Sequence, residues 1–142
     1  MSNFDPDKLL QKISTIEDCV AKLEVLANLT EASFLVDFRN SSSAKYLLQI
    51  AIEAMIDISN HIIARERLGK PETHKQAFEK LAVAGFIQPE NVPTYFLMSK
   101  FRNKVVHMYH EINDRMIFNI LQANIADFQK FIAEINTAIA QN

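Results

Sequence analysis

The chain has 142 residues, a formal net charge of −2 and a pI near 6.1, and 49% of its residues are hydrophobic. It contains only 2 glycines and 4 prolines, which leaves few positions for tight turns, so the composition favours long helices and argues against an all-β fold. The slight negative charge excludes a globally basic nucleic-acid binder, and the single cysteine, Cys19, excludes an intrachain disulfide and a zinc site made of several thiolates.

We expect one domain over residues 1–142, because a chain of this length buries most of its surface around a single core. The first seven residues contain neither a basic region nor an apolar region of the kind found in secretory leaders. No later stretch holds enough uncharged apolar residues to span a bilayer. The sequence therefore predicts a soluble, cytoplasmic protein that makes no membrane contact.

Apolar periodicity predicts an all-α, antiparallel bundle of about five helices. The first helix is predicted over residues 6–28, after the capping pair Asp5-Pro6. Residues 32–40 fit either a loop or a helix. The second helix is clear from Ala44 and is predicted to stop near Gly69. Apolar residues cover so much of its surface that we expect it at the centre of the bundle.

Three further helices follow. Thr73 is predicted to cap the third, which ends at Gly85. The fourth is predicted over residues 90–110 and the fifth from Asn113 onward. On the fourth helix the predicted core-facing stripe consists of Leu97, Phe101, Val105, Met108 and Ile112, which fall within an arc of about 80°.

The end of the fourth helix carries the pattern Arg-x-x-x-x-His-x-Tyr, formed by Arg102, His107 and Tyr109. At 3.6 residues per turn, Arg102 and Tyr109 lie within about 20° of each other, whereas His107 lies about 140° from Arg102. A straight helix cannot direct Arg102 and His107 at one phosphate. Either the helix unwinds after Arg102, or two copies of it meet across a two-fold axis and form a composite site.

The chemistry of these side chains suits RNA cleavage without a metal. An imidazole with a pKa near ~6.5 can take the proton of a ribose 2′-OH, and a guanidinium can stabilise charge on the phosphate. DNA lacks that hydroxyl and should not be cut. Arg and His near a helix C-terminus also interact favourably with the helix dipole, which is the competing structural explanation. None of the four histidines has the spaced carboxylates or cysteines of a metal site, so we expect neither a metal nor a cofactor.

The motif, together with residues 47–61 and 77–87, resembles the HepT-like branch of the HEPN superfamily over about the whole chain. The resemblance implies a homodimeric endoribonuclease toxin of a type VII toxin–antitoxin pair, with Arg102 and His107 as catalytic residues at the dimer interface. It also implies a partner, a minimal nucleotidyltransferase that neutralises the toxin by attaching AMP to Tyr109. The ATP and Mg²⁺ of that reaction belong to the partner.

Several residues around the motif have two interpretations. Asn103 follows Arg102 directly and is a candidate supporting residue. Asp57 and His61 are four residues apart on the second helix, in one row with Glu53, so Asp57 could orient an imidazole or arginine across the interface or could simply support packing. Two basic groups could attract RNA or face solvent. They are Lys100, Arg102 and Lys104 around the motif, and Arg65, Arg67 and Lys70 at the end of the second helix.

Two other functions fit the sequence. The chain could be a non-catalytic subunit that binds a nucleotide or docks the nucleotidyltransferase, which the acidic pI favours. It could also be a purely structural helical dimer. In that case Tyr109 would be a half-buried aromatic residue that packs beside the core.

Overall fold

The chain folds into helices throughout the part that the structure describes. A computed structural model describes residues 4–141. Within these residues the secondary structure consists of seven α-helices and two single-turn 3₁₀ segments, Pro89–Asn91 and Tyr109–Glu111, with no strand. The α-helices are α1 (Pro6–Ala27), α2 (Glu31–Val36), α3 (Phe38–Arg65), α4 (His74–Val83), α5 (Val92–His107), α6 (Asp114–Ala123) and α7 (Ile125–Ala140). The predicted all-α class is confirmed.

Helix α3 lies at the centre of the bundle, as its wide apolar surface predicts. It packs against α1, α2, α4, α5 and α6. Its buried apolar residues are Ala44, Leu48, Ala51, Ile52, Ala54, Met55, Ile58, Ile62 and Ile63. By length and composition alone α3 could cross a membrane, but 56% of its most apolar window is buried inside the bundle, as in the core helix of a soluble protein.

Side-chain caps mark the start of five of the described α-helices, α1, α2, α3, α4 and α6. Asp5 accepts a hydrogen bond from the amide of Lys8 at the start of α1, and Thr73 accepts one from Gln76 at the start of α4, both as the sequence predicts. Asp37 also acts as a cap, because its backbone is extended and its carboxylate accepts the amide of Arg39. Helix α3 therefore begins at Phe38, and the ambiguous segment before it forms the separate short helix α2.

The orientation of α5 differs from the predicted one. Leu97 and Met108, placed in the predicted core stripe, are 62% and 49% exposed. The buried side chains of α5 are instead Val92, Tyr95, Met98, Ser99 and Val105, which centre on the direction of Arg102. The predicted stripe is correct for Val105 and Ile112, which are buried, and wrong for Leu97 and Met108. Helix α5 carries apolar residues on nearly every face, so periodicity alone gives two stripes of similar strength. Arg102 consequently faces the bundle.

The last third of the chain is also more divided than predicted. Helix α5 ends at His107, and Met108, with φ −134° and ψ 46°, leads into the 3₁₀ turn that contains Tyr109. The predicted fifth helix is two helices, because the chain leaves the helical conformation at Asn124. The side-chain nitrogen Nδ2 of Asn124 donates to Oδ2 of Asp127. Tyr109 is therefore not aligned with Arg102 on one helix.

Candidate active site

Arg102 is held by carboxylate and amide oxygens on the inner face of α5. Its Nε and Nη2 donate to Oε2 of Glu53 at 3.0 and 2.7 Å, and its Nη1 donates to Oδ1 of Asn103 at 3.0 Å. The side chains of Arg102 and Glu53 are 26% and 30% exposed. The guanidinium is thus fixed by charge-assisted hydrogen bonds yet open to solvent on one side.

Glu53 is a site residue that the sequence reasoning did not assign. Glu53 shares one row with Asp57 and His61 on α3, and helical spacing does not tell which member of the row meets α5. The structure separates the three residues. Asp57 pairs with Lys12 of α1 at 2.9 Å, and Nε2 of His61 accepts the backbone amide of Asp5 at 3.2 Å.

His107 is the last residue of α5 and is exposed. The helix runs without a break from Arg102 to His107, so the two side chains point about 140° apart. Unwinding directly after Arg102, one of the two geometries considered from the sequence, does not occur. One copy of the chain therefore presents the guanidinium toward α3 and the imidazole outward.

Tyr109 lies in the 3₁₀ turn with 52% of its surface exposed. The ammonium group of Lys45 lies 4.3 Å from the centre of its ring, within the range of a cation–π interaction. Lys45 is only 7% exposed, and its nearest carboxylate oxygen, Oδ1 of Asp114, is 3.8 Å away and also accepts a hydrogen bond from Ser41 at 2.6 Å. A weakly paired cation thus supports the exposed phenol.

His74 is a further neighbour of the motif. Partial burial, and then the positive charge of Arg102, lower the pKa of His74, which favours the neutral imidazole. It lies at the start of α4. The effect of Arg102 on His74 depends on how α4 packs against α5, and no local pattern in the sequence reports it. Within residues 4–141 no group of three or more His, Cys, Asp and Glu residues could hold a metal ion.

These features define a class of protein: an all-helical bundle that displays an arginine held by a carboxylate, an outward histidine at the end of the same helix and an exposed tyrosine two residues later. The family model described as Ribonuclease HepT-like matches residues 16–135, and the chain belongs to this family. The predicted resemblance and the predicted class, an endoribonuclease of the toxin–antitoxin type, are confirmed at the level of the family.

Two characterised relatives and one solved structure agree with this assignment. The mRNA nuclease HepT of Shewanella oneidensis is 32% identical over 126 residues, which cover 89% of this chain and 94% of the relative. The tRNA nuclease HepT of Aphanizomenon flos-aquae is 26% identical over 137 residues, covering 96% and 93%. A structure of a tri-AMPylated Shewanella oneidensis HEPN toxin in complex with MNT antitoxin superposes with a TM-score of 0.84 at 31% identity, over 92% of this chain and 98% of that one.

Proposed function

We propose that this protein cleaves RNA at a composite site in which Arg102 of one copy and His107 of a second copy act on the same phosphate. The observation that carries the proposal is the divergence of the two side chains on one unbroken helix. Because a single copy directs them about 140° apart, a site that needs both requires a second α5.

The reaction follows from the side chains. A neutral His107 accepts the proton of a ribose 2′-OH, and the resulting oxygen attacks the adjacent phosphorus. The bond from phosphorus to the 5′-oxygen breaks, and a protonated imidazole returns a proton to that oxygen, which leaves a 2′,3′-cyclic phosphate and a 5′-hydroxyl. Arg102 stabilises the negative charge that develops on the non-bridging phosphate oxygens. Asn103 acts as a supporting residue by orienting the guanidinium.

An exposed apolar surface beside α5 supports a homodimer. A groove of about 450 Å³ lies between α3, α5 and the junction of α6 and α7, and Leu97, Phe101, Leu48 and Ile52 contribute to its lining. Leu97 is 62% exposed and Phe101 is half-buried, so these two side chains offer an apolar contact to a partner. We assign a second copy of the chain to this surface.

Asp57 is a supporting residue and not a catalytic one. Its carboxylate is 49% exposed and bound to Lys12. It can support the site only by exchanging Lys12 for an imidazole or guanidinium of the second copy, and an exposed ion pair is weak enough to permit that exchange.

Regulation by a partner nucleotidyltransferase acts at Tyr109 in this proposal. The phenol is exposed and can therefore reach a second enzyme, and Lys45 beside it can neutralise part of the phosphate charge of an attached adenylate. The AMPylated state of the similar HEPN toxin supports the same chemistry here. Modification blocks RNA from the cleft, and both proteins act in the cytoplasm.

One observation favours a second candidate function. Glu53 already neutralises the charge of Arg102, as expected if the arginine only stabilises the bundle. The chain would then be a non-catalytic docking subunit of the nucleotidyltransferase. His107→Ala separates the two functions. A catalytic role predicts that the variant loses RNA cleavage and still binds the partner, whereas a docking role predicts that neither the wild type nor the variant cleaves RNA.

The proposal is tested with protein expressed alone and together with its nucleotidyltransferase. Intact mass is measured for both samples, and each is assayed for RNA cleavage in the presence of a chelator. We expect cleavage by the unmodified protein, and a gain of AMP mass at Tyr109 with loss of cleavage after co-expression. Two unmodified samples that both fail to cleave RNA would replace the proposal with the docking function.

A further inference from the structure

A polar groove lies on the outer side of α5, away from the apolar surface assigned to the second copy. It has a volume of about 500 Å³ and lies between the end of α3, the start of α4 and α5. Asn60 of α3, His74 of α4, and Phe96, Lys100 and Asn103 of α5 contribute to its lining. The groove therefore combines two amides, an imidazole, an aromatic ring and an ammonium group with one carboxylate, that of Glu72.

Two lysines from different helices converge on the ring in this groove. The ammonium groups of Lys75 and Lys100 lie 5.9 and 5.6 Å from the centre of Phe96. These distances are near the outer limit of a cation–π interaction, and both lysines are exposed, so neither ammonium is held tightly. Neither is within 4.0 Å of a carboxylate in the described residues, and Glu72 is the one acidic residue in the lining. The lining itself carries one lysine and one glutamate, and Lys75 brings a second ammonium group near the ring.

The groove continues toward the candidate catalytic histidine. Phe96, Lys100, Asn103 and His107 are spaced by four, three and four residues on α5, which places them within an arc of about 60° on one face. The row is about 16 Å long. Asn103 also binds Arg102, so the groove begins at the motif itself. A single-stranded RNA whose scissile phosphate lies at His107 would run along this face toward α4.

We propose that this groove binds the single-stranded RNA that flanks the cleaved bond, an inference that rests on the proposed ribonuclease function. An RNA nucleotide entering the groove exchanges the two long cation–π contacts for better ones: its base stacks on Phe96, and its phosphates pair with Lys75 and Lys100. Aromatic stacking between basic side chains is how proteins hold single strands with little sequence preference. The imidazole of His74 and the amides of Asn60 and Asn103 can bind base edges.

The first test measures RNA binding by the full-length protein. A short 2′-O-methyl RNA is used because it cannot be cleaved through a 2′-OH, and its affinity is measured by fluorescence anisotropy at several salt concentrations. The variant Lys75→Gln/Lys100→Gln should bind roughly tenfold more weakly at ~0.15 M salt, and the salt slope should fall by about 1.4, the value for two lost contacts with single-strand phosphates. Lys22→Gln/Lys130→Gln, which removes two exposed lysines elsewhere, is the control with the same net charge.

The second test reports on the ring directly. The chain contains no tryptophan, so Phe96→Trp introduces a single indole into the groove. Stacking of a base on this ring should quench its emission at the RNA concentrations that change the anisotropy, whereas inorganic polyphosphate, which has no bases, should not. Emission that is unchanged by bound RNA would overturn the proposal, as would a lysine pair whose removal has no more effect than the control.

These outcomes are separate from those of the proposed function. Loss of RNA affinity in the groove variants, with no cleavage by the unmodified protein, leaves the groove as an RNA site and removes the catalytic role. Cleavage that requires His107, with unchanged RNA affinity in the groove variants, supports the catalytic role and removes the groove as an RNA site. A weaker complex with the nucleotidyltransferase and unchanged RNA affinity would identify the groove as a protein-docking surface and would also overturn the proposal.

Discussion

Replacement of Glu53 by alanine tests how the bundle orients the arginine of the motif. Glu53 accepts two hydrogen bonds from Arg102, and both side chains are about one quarter to one third exposed. An exposed ion pair contributes about 0.2–1 kcal/mol, and loss of one partner of a fully buried pair costs about 3–5 kcal/mol. For this half-buried pair with two charge-assisted hydrogen bonds we expect Glu53→Ala to lower the free energy of unfolding by about 2 kcal/mol.

A double-mutant cycle assigns this loss to the pair. Urea unfolding, followed by circular dichroism at one protein concentration, is measured for Glu53→Ala, Arg102→Ala and the double variant. We expect a coupling energy of about 1–2 kcal/mol, because each single substitution already removes the interaction. Glu17→Ala, on an exposed face of α1, is the control with the same charge change and should alter stability by less than about 0.5 kcal/mol. Additive effects, with a coupling energy near zero, would refute the reasoning.

The same variant decides between two effects of Glu53 on cleavage. Glu53 orients the guanidinium, but it also neutralises part of its charge. Misplacement of a catalytic group by about 1 Å can cost roughly 100-fold in rate, so we expect orientation to dominate and Glu53→Ala to lower the rate of RNA cleavage at least tenfold. A rate equal to or above that of the wild type would show that neutralisation is the larger effect.

Three further variants test other parts of the structure. Lys45→Met should lower the rate of AMP transfer to Tyr109 about fivefold, measured by intact mass over time, because it removes a cation–π interaction of about 1 kcal/mol that holds the ring. Tyr95→Phe should lower the free energy of unfolding by about 1–2 kcal/mol, because the fully buried hydroxyl donates to the carboxylate of Glu134. Burial, and then nearby positive charges, lower the pKa of His61, so the unfolded chain binds a proton at this residue more readily than the folded chain. The free energy of unfolding should therefore fall as the pH drops through about 6.5. His61→Gln should make the urea midpoint less dependent on pH.

Two of these variants have a control of the same chemistry at an exposed position. Lys130→Met should leave AMP transfer unchanged, and Tyr46→Phe should leave stability unchanged. An effect of equal size in a control would remove the structural explanation of the corresponding variant.

The sequence predicts the fold and the motif because both are local patterns. The caps at Asp5 and Thr73 and the apolar surface of α3 depend on neighbours within a few residues, and the structure confirms them. The spacing of Arg102 and His107 already implies that the two side chains diverge, since it follows from helix geometry alone.

Contacts between helices are the part that could not be predicted. The rotation of α5 about its axis depends on which of two similar apolar stripes packs better, and this choice turned Arg102 toward Glu53 and left Leu97 exposed. The approach of Lys45 to Tyr109 joins residues 64 positions apart in the sequence. No periodicity within one helix reports such a contact, and the helical spacing that aligns Tyr109 with Arg102 fails because α5 ends at His107.

Mixing two inactive variants tests the composite site most directly. Arg102→Ala and His107→Ala are purified separately, mixed under conditions that allow the copies to exchange, and assayed for RNA cleavage. A site shared between two copies predicts recovery of about one quarter of the wild-type rate, because half of the dimers contain both variants and each of these keeps one intact pairing of arginine and histidine. A mixture that stays as inactive as its two components, although exchange is verified, would contradict the account.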